Sequence, residues 1–303
     1  MTAPFTARPG EVTDLGRGLR RILAPNPSAF TGPGTNTYLL GRGAVAVIDP
    51  GPDLAPHQEA ILAALGPGEH ISHILVTHAH GDHSALAPAL ARHSGAPVLA
   101  FGDSRAGRSA VMQDLLSRDQ SLGGGEGVDH DFAPDQTLAD GARLTGADWQ
   151  VEALWTPGHM GNHLSFDLGD GRLLTGDLVM GWSSSIVSPP DGDIGDFMAS
   201  CQRLAARRAR QLLPGHGGPI EDPAARLDWL IRHRKSREAA VLAALEAGPA
   251  TADALVARVY DDIAPALHPA ARRNLLAHLI ELVAQGRIEA RPALGSKALF
   301  GFP

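Results

Sequence analysis

The sequence predicts an α/β body, its sheets antiparallel or mixed with helices outside them, followed by a small helical unit. Two observations predict it. Strand-like and helix-like segments alternate through most of the chain, yet tight hairpins lie among them, and a doubly wound parallel sheet has no place for those. After Pro223 the pattern changes to helical stretches closed by one more hairpin.

The elements follow in order. "TNTYLLG" (Thr35–Gly41) and "AVAVIDPG" (Ala44–Gly51) read as consecutive strands joined by a Gly-Arg-Gly turn. A helix over His57–Leu65 is stopped by "GPG". "HILVTHAH" is a β-branched strand expected to run through His80, with a helix over Ser84–Arg92 and a strand "APVLAF" after it. "SLGGGEGVDHDF" (Ser121–Phe132) is a surface loop whose irregular glycines, with no strand before or helix after, make a poor phosphate cradle. "QVEALWTPGH" and "HLSFDLGDGRLLTGD" add strands around a Gly-Asp-Gly turn. A helix over Asp196–Arg208 and a strand "RQLLPGHG" complete the body. Beyond it, helices over Pro223–Glu246, Ala252–Tyr260 and Pro269–Gln285 and a hairpin over Gly286–Phe302 read as a winged-helix-like module. No internal repeat is visible.

With 303 residues, 44% hydrophobic and 19% charged, the chain holds one large domain plus a small appendage, expected as 1–222 and 223–303. No run reaches the ~18 uninterrupted apolar residues of a membrane span. The N-terminal stretch has no apolar core of a secretory signal, and Glu11 and Asp14 argue against a mitochondrial leader. The single cysteine, Cys201, excludes an internal disulfide and fits an inert thiol in a reducing cytoplasm. The net charge of −7 carries no global nucleic-acid signature. From Pro223 onward, however, 11 Lys+Arg face 8 Asp+Glu, which leaves 15 against 25 in the body.

Chemistry concentrates in "THAHGDHSAL" (Thr77–Leu86), which places His78, His80, Asp82 and His83 within six positions. On a strand, His78 and His80 point to one side and can chelate one ion. Asp82 and His83 follow where the chain turns and can face another point. Four ligands this close cannot wrap one tetrahedral ion without strain, so two ions sharing the segment is the easier arrangement. His159, Asp177 and His216 stand at the ends of three expected strands, and a carboxylate at Asp177 suits a bridge between hard cations.

Together His78, His80, Asp82, His83, His159, Asp177 and His216 resemble the ligand set of the metallo-β-lactamase superfamily, all seven positions being filled in order. The resemblance spans about residues 30–220 and implies an αββα sandwich with the metals at one edge. It assigns His78, His80 and His159 to the first ion, Asp82, His83 and His216 to the second, and Asp177 to both. "GTNTYLLG", "TPGHMGNHLSF", "PPDGD", "PGHGGPI" and the C-terminal segment are similar to the beta-lactamase-like protein 2 family, whose best-studied branch cleaves single-stranded RNA. One departure stands out. Only 39 positions separate Asp177 from His216, too few for the domain that another RNA-processing branch inserts there. The implied cofactors are two divalent ions, with zinc the default for a His-rich set and manganese or iron the alternatives. The implied mechanism is attack by a metal-bridging hydroxide, Asp82 orienting it and taking its proton. No serine or cysteine nucleophile is needed.

Around this set, Asn36, Asp49 and His163 are candidates to support a ligand or touch substrate; turn chemistry for the first two and a plain strand histidine for the third are the competing readings. Thr37 shares the reading of Asn36, and Trp182 with the following serines either lines the cleft or forms a structural loop. Arg232, Arg234, Lys235, Arg237, Arg272 and Arg273 either track phosphates or belong to a solvated or packed helix face. Three functions follow: a single-stranded RNA endonuclease; a hydrolase of small esters, thioesters or lactones; and a non-enzymatic nucleic-acid-binding regulator. The third fits least, since structural sites are closed Cys/His sets. β-Lactam hydrolysis is disfavoured by the missing export signal and by Asp177. A homodimer is compatible with the sequence.

Overall fold

The computed structural model describes residues 5–118, 122–261, 263–264 and 267–303. Met1–Pro4 of the N-terminal stretch and Ser121 of the expected glycine-rich loop lie outside the described residues.

The first sheet runs in the order β1 (Val12–Asp14), β2 (Leu19–Leu23), β3 (Asn36–Leu40), β4 (Ala44–Ile48), β5 (His70–Leu75), β6 (Val98–Ala100), β7 (Gln136–Thr137). It is mixed: β1 to β4 pair antiparallel and β4 to β7 parallel. Between the parallel strands lie α1 (Ala55–Ala63), α2 (Gly81–Ser84), α3 (Ala87–Ser94) and α4 (Ala110–Arg118). The second sheet holds β8 (Arg143–Thr145), β9 (Gln150–Trp155), β10 (Leu164–Asp167), β11 (Arg172–Gly176) and β12 (Gln211–Pro214). It is antiparallel apart from β11–β12, where α5 (Ile194–Ala206) makes the crossover.

Period-2 alternation sorts side chains into three cores. Tyr38, Leu40, Ala46 and Ile48 face inward and meet Val151, Ala153, Phe166 and Leu174 of the second sheet. Their neighbours Leu39, Val45 and Val47 face outward onto Ile61 of α1 and Leu90 of α3. Leu154, Leu173 and Leu212 cover the other outer face with Phe197, Cys201 and Leu204 of α5. The layers are therefore α, β, β, α. Because both faces of each sheet are covered, β2, β3 and β11 are buried along their whole length.

The C-terminal elements are α6 (Pro223–Leu245), β13 (Ala250–Thr251), α7 (Ala252–Val259), α8 (His268–Ala284), β14 (Glu289–Arg291) and β15 (Leu299–Gly301). The strands form a small sheet, β13-β15-β14, against the helices. Asp222 caps α6 through Ala225 N and Pro223 occupies its first turn, where a missing N–H costs nothing. The two ends of α6 serve different cores: Leu227 and Leu230 pack with α5, whereas Val241 and Leu245 pack with α7 and α8.

Candidate metal centre

The histidines and aspartates singled out above lie at one edge of the sandwich, each just past a strand end. His78, His80, Asp82 and His83 follow β5, His159 follows β9, Asp177 follows β11 and His216 follows β12. The strand expected to run through His80 ends at Leu75 instead. Thr77 N donates to Asp49 Oδ1 (2.7 Å) and Gly81 N to Gly127 O (2.8 Å), so the backbone turns away from its neighbours and α2 begins at Gly81. Two short helices, Gly81–Ser84 and Ala87–Ser94, replace the single one expected.

The fold brings seven side chains into two overlapping groups. His78 Nε2 and His159 Nε2 each lie 3.0 Å from His80 Nδ1. His216 Nε2 is 3.4 Å from Asp82 Oδ2 and 3.2 Å from Asp177 Oδ2, and His83 Nε2 is 3.6 Å from Asp82 and 3.4 Å from Asp177 Oδ1. His159 Nε2 is 3.8 Å from Asp177 Oδ2, which puts this carboxylate against both groups. A tetrahedral ion with bonds of 2.0–2.1 Å needs ligand atoms about 3.3 Å apart, close to what both groups offer.

Hydrogen bonds fix which ring nitrogens face inward. His159 Nδ1 donates to Ile186 O (2.7 Å), His216 Nδ1 to Gly34 O (3.2 Å) and His83 Nδ1 to Asp49 Oδ2 (2.9 Å). Thr77 Oγ1 donates to Asp49 Oδ2 (2.9 Å) and so accepts from His78 Nδ1 (2.9 Å). In all four rings the remaining Nε2 faces into the cluster, where it offers a lone pair once its ring is neutral, the arrangement that metal-binding histidines adopt. His83 Nε2 and Asp177 Oδ1 are buried with no hydrogen-bond partner, although they face each other. Two buried polar atoms left unpartnered carry a penalty that a cation between them removes. The donor set thus fits divalent ions.

The electrostatics agree. Burial works against charge on His83, but Asp82, Asp177 and Asp49 outweigh it and raise its pKa well above the usual imidazole value. Burial also opposes ionisation of Asp177, yet His216 and His83 hold its pKa well below the usual carboxylate range. His78 and His80 are pushed down by burial and by neighbouring imidazoles, which outweigh the carboxylates near them. The metal-free protein therefore holds protons on the His83 side of the cluster and lone pairs on the His78 side.

The supporting candidates are all buried and none lines the cleft. Asp49, at φ 51°, spends its carboxylate on Thr77 N, Thr77 Oγ1 and His83 Nδ1; aspartate is among the few residues that tolerate that conformation. Asn36 Nδ2 donates to Pro214 O (3.0 Å) and Gly217 O (2.8 Å), gripping the chain on both sides of His216. Thr37 instead bonds Asp49 O and His57. His163 Nε2 accepts from Asp177 N (3.2 Å), so its Nδ1 carries the proton and donates to Thr156 Oγ1 (3.0 Å). Thr35, which the sequence placed only in a strand, donates from Oγ1 to Asp82 Oδ2 (3.0 Å) and is itself held by Asn26 (2.9 Å). Two glycines make room. A Cβ on Gly176 (φ 46°) would lie 2.6 Å from His163 Nε2, and one on Gly215 would lie 2.5 Å from Asp177 Oδ1.

Trp182 is 46% exposed and lies over Gly217, at the rim beside His216, with exposed Phe30 on the loop just before Thr35. Cys201 is buried in α5, where burial pushes its thiol to about 12. Four of the six basic residues singled out in the C-terminal part turn inward: Arg234 and Arg273 are buried, Arg237 donates to Val259 O and Arg272 pairs with Asp253, while Arg232, paired with Asp228, and Lys235 stay exposed. Within α8 the six consecutive residues Leu275–Ile280 are all buried, so this stretch of the helix is packed on every face.

Residues 30–216 match the Metallo-beta-lactamase superfamily, and residues 251–294 match the Beta-lactamase associated winged helix domain. The chain is 31% identical over 288 residues to the Beta-lactamase-like protein 2 homolog of Drosophila melanogaster, covering 91% of each. It is 34% identical over 239 residues to Lactamase-like protein adaB of Aspergillus niger, covering 78% of this chain and 66% of that protein. Among solved structures, a metallo-beta-lactamase family protein from Thermus thermophilus superposes with a TM-score of 0.75 at 27% identity, over 96% of this chain and 100% of the other. The layered sheets, the histidines and aspartates gathered at one edge, and the small terminal sheet are thus matched together: the chain belongs to the metallo-beta-lactamase superfamily of metal-dependent hydrolases, with the associated winged-helix domain at its C-terminal end.

Proposed function

We propose that the protein is a binuclear hydrolase that cleaves phosphodiester bonds in single-stranded RNA. In this reading His78, His80 and His159 hold one ion, Asp82, His83 and His216 hold the other, and Asp177 touches both. Zinc is the metal expected for this donor set. The observation that carries the reading is the buried, unpartnered pair His83 Nε2 and Asp177 Oδ1, 3.4 Å apart.

Two divalent ions bound there would supply Lewis acidity and a water of lowered pKa. The chain does the rest. Asp82 is the more accessible of the two ligand carboxylates, its side chain 28% exposed against 11% for Asp177. Burial raises its pKa, but His83 leads the groups that bring it below the usual value, so it is ionised and able to take a proton from the attacking water. Thr35 Oγ1 fixes its Oδ2, and Asp49 fixes His83 beside it. Trp182 and Phe30 at the rim suit stacking of unpaired bases. The two relatives named Beta-lactamase-like protein 2 homolog, at 31% and 30% identity, support the RNA reading through the resemblance that pointed to that family.

A second reading, hydrolysis of a small ester or thioester, is favoured by the inward-turned Arg234 and Arg273 and the packed middle of α8, which take those groups out of any surface for RNA. The two readings separate on one plate. Metal-loaded protein is incubated with single-stranded RNA, a p-nitrophenyl phosphodiester, a thioester and a β-lactam, beside Asp82→Ala. RNA cleavage lost in the variant is expected. Intact RNA with a turned-over thioester would overturn the endonuclease reading, and activity unchanged in Asp82→Ala would overturn the role of Asp82.

A further inference from the structure

We infer that the C-terminal domain is part of the metal pocket's frame, with Asn274 as a positioning residue that aims His159 through a single peptide group. The inference rests on the metal reading above. His159 Nδ1 donates to Ile186 O at 2.7 Å, and Val187 N donates to Asn274 Oδ1 at 3.0 Å. These are the two ends of one peptide unit. In a planar trans peptide the C=O and N–H point in opposite directions, and the Ile186–Val187 bond is trans. Whatever holds the N–H therefore aims the carbonyl. Asn274, on α8 of the winged-helix domain, sets the direction of the acceptor that orients a proposed ligand on the far side of the same plane.

The rest of the segment is held from the same domain. Arg234, on α6 and only 2% exposed, donates from Nη1 to Asn274 Oδ1 (3.0 Å) and from Nη2 to Ser185 O. Arg273 donates from Nε to Ser188 Oγ (2.8 Å) and from Nη2 to Pro189 O. Ser185 Oγ in turn donates to the carbonyl of Asp177. Residues 185–189 thus run as a strap between two proposed ligands, and its outward hydrogen bonds end on Arg234, Arg273 and Asn274, with one more from Ser188 Oγ to Glu126. The burial of α8 follows from the same packing: Ala277 sits in the core that α5 and α6 make with the second sheet. A helix used this way supports the pocket.

Zinc affinity of the full chain, by competition with a chromophoric chelator, tests the inference on three variants. Asn274→Ala removes the acceptor, Asn274→Asp keeps an oxygen there for both Val187 N and Arg234, and Arg234→Lys keeps the buried charge but not the two-directional grip. Partners one step out from a metal ligand change affinity about 10–100-fold, so a group two steps out is expected to cost about threefold to tenfold. Asn274→Ala should weaken one of the two ions by that amount and leave the other unchanged, Asn274→Asp should restore wild-type affinity, and Arg234→Lys should fall between. If Asn274→Ala does not fold, Arg234→Lys against Asn274→Asp decides. Two ions bound with wild-type affinity by the folded Asn274→Ala or Arg234→Lys variants would overturn the inference, even if melting temperature falls, because that outcome marks a purely structural role. A wild-type chain that binds no zinc would instead overturn the metal reading, and this inference with it.

Discussion

Gly215→Ala tests the geometry of the site with a single methyl group. Gly215 joins β12 to His216, and its φ lies outside the left-handed region, so alanine meets no backbone strain there. The obstacle is contact. The new Cβ would lie 2.5 Å from Asp177 Oδ1, one of the two buried unpartnered atoms, and 2.6 Å from His83 Cε1, which is bonded to the other. An ordinary non-bonded contact needs about 3.4 Å, so each of the two side chains must give way by nearly 1 Å. Metal–ligand distances tolerate about 0.2 Å. The steric demand exceeds the tolerance several-fold on two proposed ligands at once. Overpacking of this kind costs about 1–3 kcal/mol of stability, which a domain of this size survives, while zinc affinity should fall at least about tenfold, or ~1.4 kcal/mol. Chelator competition on the folded variant reads the outcome. A Gly215→Ala protein that keeps both ions at wild-type affinity would refute the placement of His83 and Asp177 in the same centre.

Other consequences are open to measurement. Because Asp82, Asp177 and Asp49 raise His83 against the effect of burial, and Asp177 does the same for His216, ions must displace protons there; zinc affinity should rise between pH 6 and 8, and calorimetry in buffers of different ionisation enthalpy should show net proton release. Burial, with Asp193 and Glu281, raises the Asp196 carboxyl to about 6, so the folded state binds more protons than the unfolded between pH 4 and 6 and stability falls as pH rises through that window. Asp196→Asn should then add about 1 kcal/mol at pH 8, after discounting for solvent, and nothing near pH 4, as read by urea denaturation. Trp182→Ala should raise KM for single-stranded RNA about tenfold with kcat nearly unchanged, the expected loss of one stacked base; an unchanged KM would remove Trp182 from the substrate path.

Much of the site was legible in the sequence because its chemistry sits where strands end, and strand ends carry their own marks. Thr-Pro-Gly before His159, Thr-Gly before Asp177 and Pro-Gly before His216 are turn residues next to apolar runs, so each candidate could be placed before any geometry was known. The layers followed from the same alternation of strands and helices. What escaped has physical reasons too. Thr35 and Asn26 are short polar residues in a loop, and nothing in their spacing announces that Thr35 Oγ1 ends on Asp82. The early strand β2 carries no clear strand signal because arginines at positions 20 and 21 interrupt its apolar pattern, although both are buried. Basic residues in the tail pointed as readily to phosphates as to a packed face. Charge type says nothing of partner, and Arg234 and Arg273 turn out to bond carbonyls of the 185–189 strap. Asn274 carried no mark at all, since an amide in a helix becomes informative only once the peptide it faces is known.

The central claim is that one edge of the sandwich holds two ions joined by Asp177. The most direct measurement is metal content, by mass spectrometry, of protein stripped with chelator and reconstituted with zinc, comparing wild type with Asp177→Ala and His216→Ala. Two ions per wild-type chain, with one or fewer in each variant, is the predicted result. One ion in the wild type, or two retained in both variants, would contradict it.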